Sequence, residues 1–468
     1  KEIVEQKLYD PEGVKARNEL AKISFEEGDF GSTKKYINKV LEEYPNNNDA
    51  LLIRGRMALS AFDAISAIND FRTVVKNDPE SDEATLLLAK AYEINHEPIL
   101  AKAELKRAIE AAPVNYKTHY NYALYLAKKK DLEDASNVVN KALLYFKGNF
   151  ELLSLKLKLL PPSTDKSVVL NILNDMKIAA PNRFEVYLSK GQYYLAIKDY
   201  KNALLEFELA LSKTSNKYIV LDKIVKTYFL QKRADLAFQK LNDRLKKDEN
   251  DSAALQLFGQ IYLSRDMEKA RNYLNRAISS AETWEAPYTT LAASYLMEKN
   301  QYEALKVFQL AAGKVNNKTK MLLKVASLYE VLGKHQDAIR VYEKVLKRNS
   351  NHKLAANNLA SLYLDYGSSS DIKKAVELTK DFKKMNRPAF TDTLAWASTK
   401  SGDNLKAIEL LLPLIEKSPE IAVFQYHLAF AFYNNNEKSK AKKYFESSAS
   451  SKQEFVGKSG IKKILNEL

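Results

Sequence analysis

LLLAKAYEINHEPILAKAELKRAIEAAP, residues 86–113, holds two amphipathic segments separated by a break. Leu88, Ala89 and Tyr92 line one stripe at i, i+1 and i+4. Ala101, Leu105 and Ala108 line another at i, i+4 and i+7. Both spacings return side chains to one face of a helix. The NHEP segment between them predicts a turn, and Pro113 ends the second helix because it cannot donate the next backbone hydrogen bond. One such hairpin cannot bury its apolar stripes alone, whereas a stack of them can.

Outward from this stretch the pattern repeats. Pro45, Pro79, Pro113 and Pro181 fall 34, 34 and 68 residues apart. Ala67, Ala101, Ala135, Val169, Ala203 and Ala237 recur every 34, then resume at Ala270, Ala304, Ala338, Ala375, Ala407 and Ala441. Tyr92, Tyr194, Tyr228, Tyr262, Tyr295, Tyr329 and Tyr363 share a third position, filled by Leu126 and Phe432 elsewhere. Together these place thirteen units, from 14–47 through 422–451, and a last amphipathic segment at 452–468. Three places depart from the pattern. LLPPSTD (159–165) must end a first helix early, GSSSD (367–371) adds three residues, and RPAF surrounds Pro388. Taken as joints, the prolines suggest segments 1–158, 159–387 and 388–468, with one continuous array as the alternative.

The repeated residues resemble the tetratricopeptide repeat family. Leu88, Ala89, Tyr92, Ala101, Leu105, Ala108 and Pro113 match its unit, as do Val325, Ala326, Tyr329, Gly333, Ala338 and Tyr342. The resemblance implies an all-α, right-handed α-solenoid of about thirteen helical hairpins closed by a C-terminal capping helix. It also implies that first helices line a concave wall that binds protein or peptide partners. Positions mapped to that wall include Lys90, Tyr120, Leu124, Gln192, Lys226, Phe229, Gln256, Gln260, Asn357, Asp392, Trp396, Tyr426, Phe430 and Tyr433. Tyr120, Trp396 and Tyr426 fit either the wall or the core. The Lys–Asn pair with which some members of the family hold a terminal carboxylate is missing at Leu86, Lys90, Tyr120 and Leu124.

Composition narrows the chemistry. Of 468 residues, 46% are apolar and 28% charged, with only 13 Gly and 12 Pro, as long helices joined by short turns require. No Cys occurs, which removes disulfides and thiolate chemistry. Five His show no metal-binding spacing, and neither a GxxxxGK[ST] nor a GxGxxG element cradles phosphate. His427 has no acid or nucleophile set with it by the repeat register. The expectation is a non-enzymatic protein with neither cofactor nor metal. The net charge of +14 reads as spread along the chain. Recognition of RNA or of an anionic polysaccharide is the alternative, although the wall positions do not repeat the polar pairs of an RNA code.

Residues 388–445 carry a finer resemblance. Pro388, Asp392, Thr393, Leu394, Trp396, Tyr426, His427, Leu428 and Ala429 are similar to the terminal repeats of bacterial envelope scaffolds of the PEP-CTERM and exopolysaccharide type, with Ala395 in place of the usual Gly. This implies a bacterial periplasmic or outer-membrane-associated location, with the cytoplasm as the alternative. KEIVEQKLYD at the start lacks a signal or lipidation pattern, so attachment would rest on an anchor upstream. No stretch is long and apolar enough to predict a transmembrane helix.

Overall fold

Each second helix meets its first helix at a residue too small to hold them apart. In the computed structural model, which describes residues 10–26, 29–60, 63–350, 352–385 and 387–468, Ala67, Ala101, Ala135, Ala203, Ala237 and Ala270 are fully buried. So are Ala304, Ala338, Ala375, Ala407 and Ala441. Thr33 holds the same place in the first hairpin at 0% exposure, and Val169 holds it in the fifth at 9%. Three glycines on first helices allow a still closer approach. A Cβ at Gly55, Gly191 or Gly259 would fall inside the side chains of Phe71, Phe207 or Leu274.

Thirteen helical pairs result, running from Pro11–Glu26 with Phe30–Glu43 to Ala422–Asn434 with Lys438–Ser450. The helix Ile461–Glu467 closes the series, and no strand occurs among the described residues. The pairs form two compact units, one mainly of residues up to Asn317 and one mainly of Lys318–Leu468. The segment 159–165 lies within the first unit and Arg387–Pro388 within the second.

The turns explain how the register is kept. His96, Lys130, Lys198, Lys232, Lys299 and Asn436 adopt positive φ, as do Gly333 and Gly402, all at the same place inside their hairpins. Next in sequence, Asp199 and Asp403 cap their second helices by accepting from the backbone N–H of Asn202 and Lys406. Between hairpins a first-helix side chain reaches six residues back. Tyr187 Oη donates to the Pro181 carbonyl (2.8 Å), Tyr288 Oη to the Glu282 carbonyl (2.9 Å), and His119 Nε2 meets the Pro113 carbonyl (3.0 Å).

The departures are local. Helix Phe150–Leu159 has ten residues and stops before Pro161, where most other first helices have thirteen or fourteen. At 367–371 Ser368 and Asp371 form a capping box, and Lys374 and Ser368 pull the Asp371 carboxyl down to about 2. The second helix that follows is short, Ser369–Thr379, and gives way to a 3-10 turn at Phe382–Met385.

The last hairpin is covered by apolar contacts. Phe455 lies 5.1 Å from the Tyr426 ring, Gly457 packs against the same ring at φ +90°, and Ile461 is buried. Ala422 N–H donates to Gln453 Oε1 (2.9 Å), while Lys462 and Lys463 remain exposed.

Gly191→Ala separates propensity from packing. The helix gains about 1 kcal/mol from Ala over Gly, whereas overpacking against Phe207 costs roughly 1–3 kcal/mol. The expected outcome is a lower melting temperature by calorimetry. A rise would show that Phe207 swings aside freely.

Candidate functional site

The candidate wall residues sort by hairpin. Lys90, Leu124, Gln192 and Lys226, all from hairpins within residues 82–247, are exposed, and Tyr120 and Phe229 are half-buried. Leu86 shows 42% of its surface and Leu124 46%, although both are aliphatic. Lys226 pairs with Asp222 at 2.9 Å, and the Arg265 guanidinium stands 5.8 Å over the Phe229 ring.

In later hairpins the same register is largely closed. Gln256 has no exposed surface and donates to Thr290 Oγ1 on the next first helix (2.8 Å). Gln260 is half-buried, bonded to Tyr218 Oη at 3.0 Å, and Tyr218 meets Trp284 edge to face at 5.2 Å. Asn357, Asp392, Trp396 and Tyr426 are buried, and Phe430 and Tyr433 are half-buried.

These buried side chains tie three successive first helices together. Trp396 Nε1 donates to Asp365 Oδ1 (2.9 Å) and its ring stacks on His427 at 4.3 Å. His427 Nδ1 meets Asp392 Oδ1 at 2.8 Å, so the preceding repeat does set an acid beside His427, contrary to the sequence expectation. Lys400 covers the Trp396 ring at 4.4 Å, and Phe430 meets it edge-on at 5.7 Å. Burial pushes the Asp365 carboxyl up, against the pull of Trp396, His427 and Lys400. Burial also raises the Tyr426 hydroxyl to about 12, helped by Asp365. Trp396 Nε1, Asp365 Oδ1, His427 Nδ1 and Asp392 Oδ1 are each bonded to another protein group. That is the signature of a clasp between hairpins rather than of a reaction centre.

An open site lies in the first unit. Helix Phe150–Leu159 is three residues shorter than the thirteen-residue first helices on either side, about 4.5 Å of helix. Two apolar clusters meet along it: Leu155 and Leu159 belong to the one before, Leu153 and Val169 to the one after. Between this helix and Phe184–Ala196 lies a recess of about 500 Å³, within the range of ligand pockets. Tyr120, Phe150, Arg183, Gln192 and Tyr193 line it, with Val169 and Met176 contributed by the second helix. The Arg183 guanidinium lies 4.0 Å over the Phe150 ring and is held by Glu151 at 2.9 Å. The Tyr193 hydroxyl is buried without a hydrogen-bonding protein partner, and burial raises its pKa.

Two wall candidates, Tyr120 and Gln192, thus converge on one recess. Phe150, Arg183 and Tyr193 escape a reading by repeat register. The signal that points to them is the Pro161–Pro162 pair, which shortens the helix beside them. Among the described residues no group of three His, Asp or Glu side chains could hold a metal ion.

Residues 323–369 match the family described as tetratricopeptide repeat. No curated protein matches the chain. Among solved structures, the APC/C hetero-tetramer Cut9–Hcn1 aligns at 12% identity over 99% of this chain and 98% of that one, with a TM-score of 0.37. MamA 41-end from Desulfovibrio magneticus RS-1 aligns at 21% identity over 34% of this chain and 90% of its own, with a TM-score of 0.30.

The clasp has a pH signature. The raised pKa means that folded Asp365 keeps its proton at a pH where the unfolded chain has lost it. Its contribution to stability therefore falls as pH rises from the ordinary carboxylate range through the raised value. Asp365→Asn keeps the oxygen that accepts from Trp396 and removes the titration. Urea unfolding is expected to find the variant gaining on the parent as pH moves from acidic to neutral. A stability difference, variant minus parent, that stays constant or falls as pH rises contradicts this.

Proposed function

We propose that this chain is a non-enzymatic scaffold that holds an extended segment of a partner protein along the first-helix face of residues 82–230, anchored in the recess beside Phe150–Leu159. The observation that carries this reading is the recess itself. It is an opening of about 500 Å³ lined with aromatic rings, continuous in register with exposed Leu124 and Gln192. Aromatic side chains give large contact area at low entropic cost and dominate binding energy when they fill pockets. A partner's apolar side chain would displace water from Tyr120, Phe150 and Met176. Arg183 is already committed to Phe150 and Glu151, so it shapes the site rather than selecting a charge.

We further propose a setting in the bacterial envelope, associated with the periplasmic side or the outer membrane, in exopolysaccharide assembly. This rests on the pattern Pro388, Asp392, Thr393, Leu394, Trp396, Tyr426, His427, Leu428 and Ala429. In the structure Asp392, Trp396, Tyr426 and His427 of this pattern serve the clasp. No helix among the described residues is long and apolar enough to cross a membrane. Fractionation of the native cell checks the setting: recovery with the envelope supports it, and recovery with the cytosol removes it.

A photo-crosslinking residue at Gln192 is expected to capture a partner that the same residue at exposed Leu310, on a second helix, does not. Tyr120→Ala with Gln192→Arg should reduce capture at Leu124 at least about tenfold, as loss of a hot spot does. Capture of the same partner in the same yield by this double variant would remove the recess from the binding surface.

A further inference from the structure

The second unit carries a groove on the opposite helices. Residues 318–468 hold 26 Lys and Arg against 16 Asp and Glu, so ten of the fourteen excess positive charges sit here. The charge is not spread evenly along the chain, as composition alone suggested. Within this unit the second helices His335–Arg348 and Ser369–Thr379 flank an opening of about 680 Å³. Its apolar lining comes from Leu346, Leu359, Tyr363 and Leu378. The flanking second helix is three residues shorter than its counterpart, and it follows the 367–371 insertion. The groove therefore sits where the repeat is irregular.

The charges on its rim are not equivalent. Glu343 accepts from the Tyr363 hydroxyl at 2.5 Å, and Glu377 is paired with Lys380. Lys374 is held by Asp371 at 2.9 Å, with its ammonium 5.2 Å from the Tyr363 ring. Lys347 and Lys373 remain, one on each flanking helix, both exposed and without an ion-pair partner among the described residues. An apolar floor between two uncommitted cations selects an occupant that is apolar on one face and acidic on its edges. We propose that this groove docks an acidic amphipathic helix of a partner protein, its apolar side chains on Leu346, Leu359 and Leu378 and its carboxylates on Lys347 and Lys373. A helix laid in a groove presents such anchors at i, i+3, i+4 and i+7. The closing helix of a second copy, IKKILNEL, brings two lysines to this rim and is disfavoured.

The test uses the full chain and two synthetic labelled helical peptides. Both carry Leu at i, i+3, i+4 and i+7; one has Glu at the flanking positions and the other Lys. Fluorescence anisotropy is expected to give at least about tenfold tighter binding of the Glu peptide, weakening with added salt. Lys347→Glu with Lys373→Glu should abolish or reverse that preference. Leu378→Gln, with its helicity verified by circular dichroism, should weaken both peptides. Tyr120→Ala, in the first unit, should change neither. Absence of binding, equal affinity for the two peptides, or an unchanged preference in the double-lysine variant overturns the proposal.

Discussion

Everything in this structure depends on how closely two helices can cross. A residue no larger than Ala, Thr or Val stands at the crossing in all of the hairpins, and in all but one it is fully buried. Close crossing sets the pitch of each hairpin, and the pitch places the next hairpin's apolar stripe over the last. Gly55, Gly191 and Gly259 tighten the approach until an aromatic ring or a leucine fills the space a Cβ would take. The turns then hold the chain in a left-handed conformation at one fixed place. Lysine accepts the strain of that conformation at four of them, Lys130, Lys198, Lys232 and Lys299. The register outweighs the local penalty.

The hairpin series was legible because its signals are periodic and local. Ala67 and Ala441 mark the same crossing eleven hairpins apart. The early stop at Leu159 could be read from Pro161 and Pro162. What periodicity could not yield was which first-helix faces stay open. Gln192 and Gln260 occupy the same register, yet one is exposed and the other half-buried. The difference lies in Tyr218, whose hydroxyl bonds to Gln260 from the preceding first helix, a contact that repeat spacing does not predict. Trp396 had two readings in sequence, and only its bond to Asp365 and stacking on His427 place it in the clasp.

The recess and the groove both lie where the repeat is broken. Helix Phe150–Leu159 loses a turn and a recess lies beside it; helix Ser369–Thr379 is short and a groove lies beside it. A perfectly regular stack would bury its apolar faces uniformly and offer little to choose between partners. The irregular hairpins supply individuality, while the regular ones supply the rigid frame that keeps each opening in shape.

The segment over the last hairpin has a further consequence. Any stack of hairpins ends in a face meant for one more hairpin. Here Phe455, Gly457 and Ile461 occupy that face on and around Tyr426. Apolar surface left bare at the end of a repeat invites head-to-tail joining into open filaments. Phe455, Gly457 and Ile461 withdraw this face from such joining.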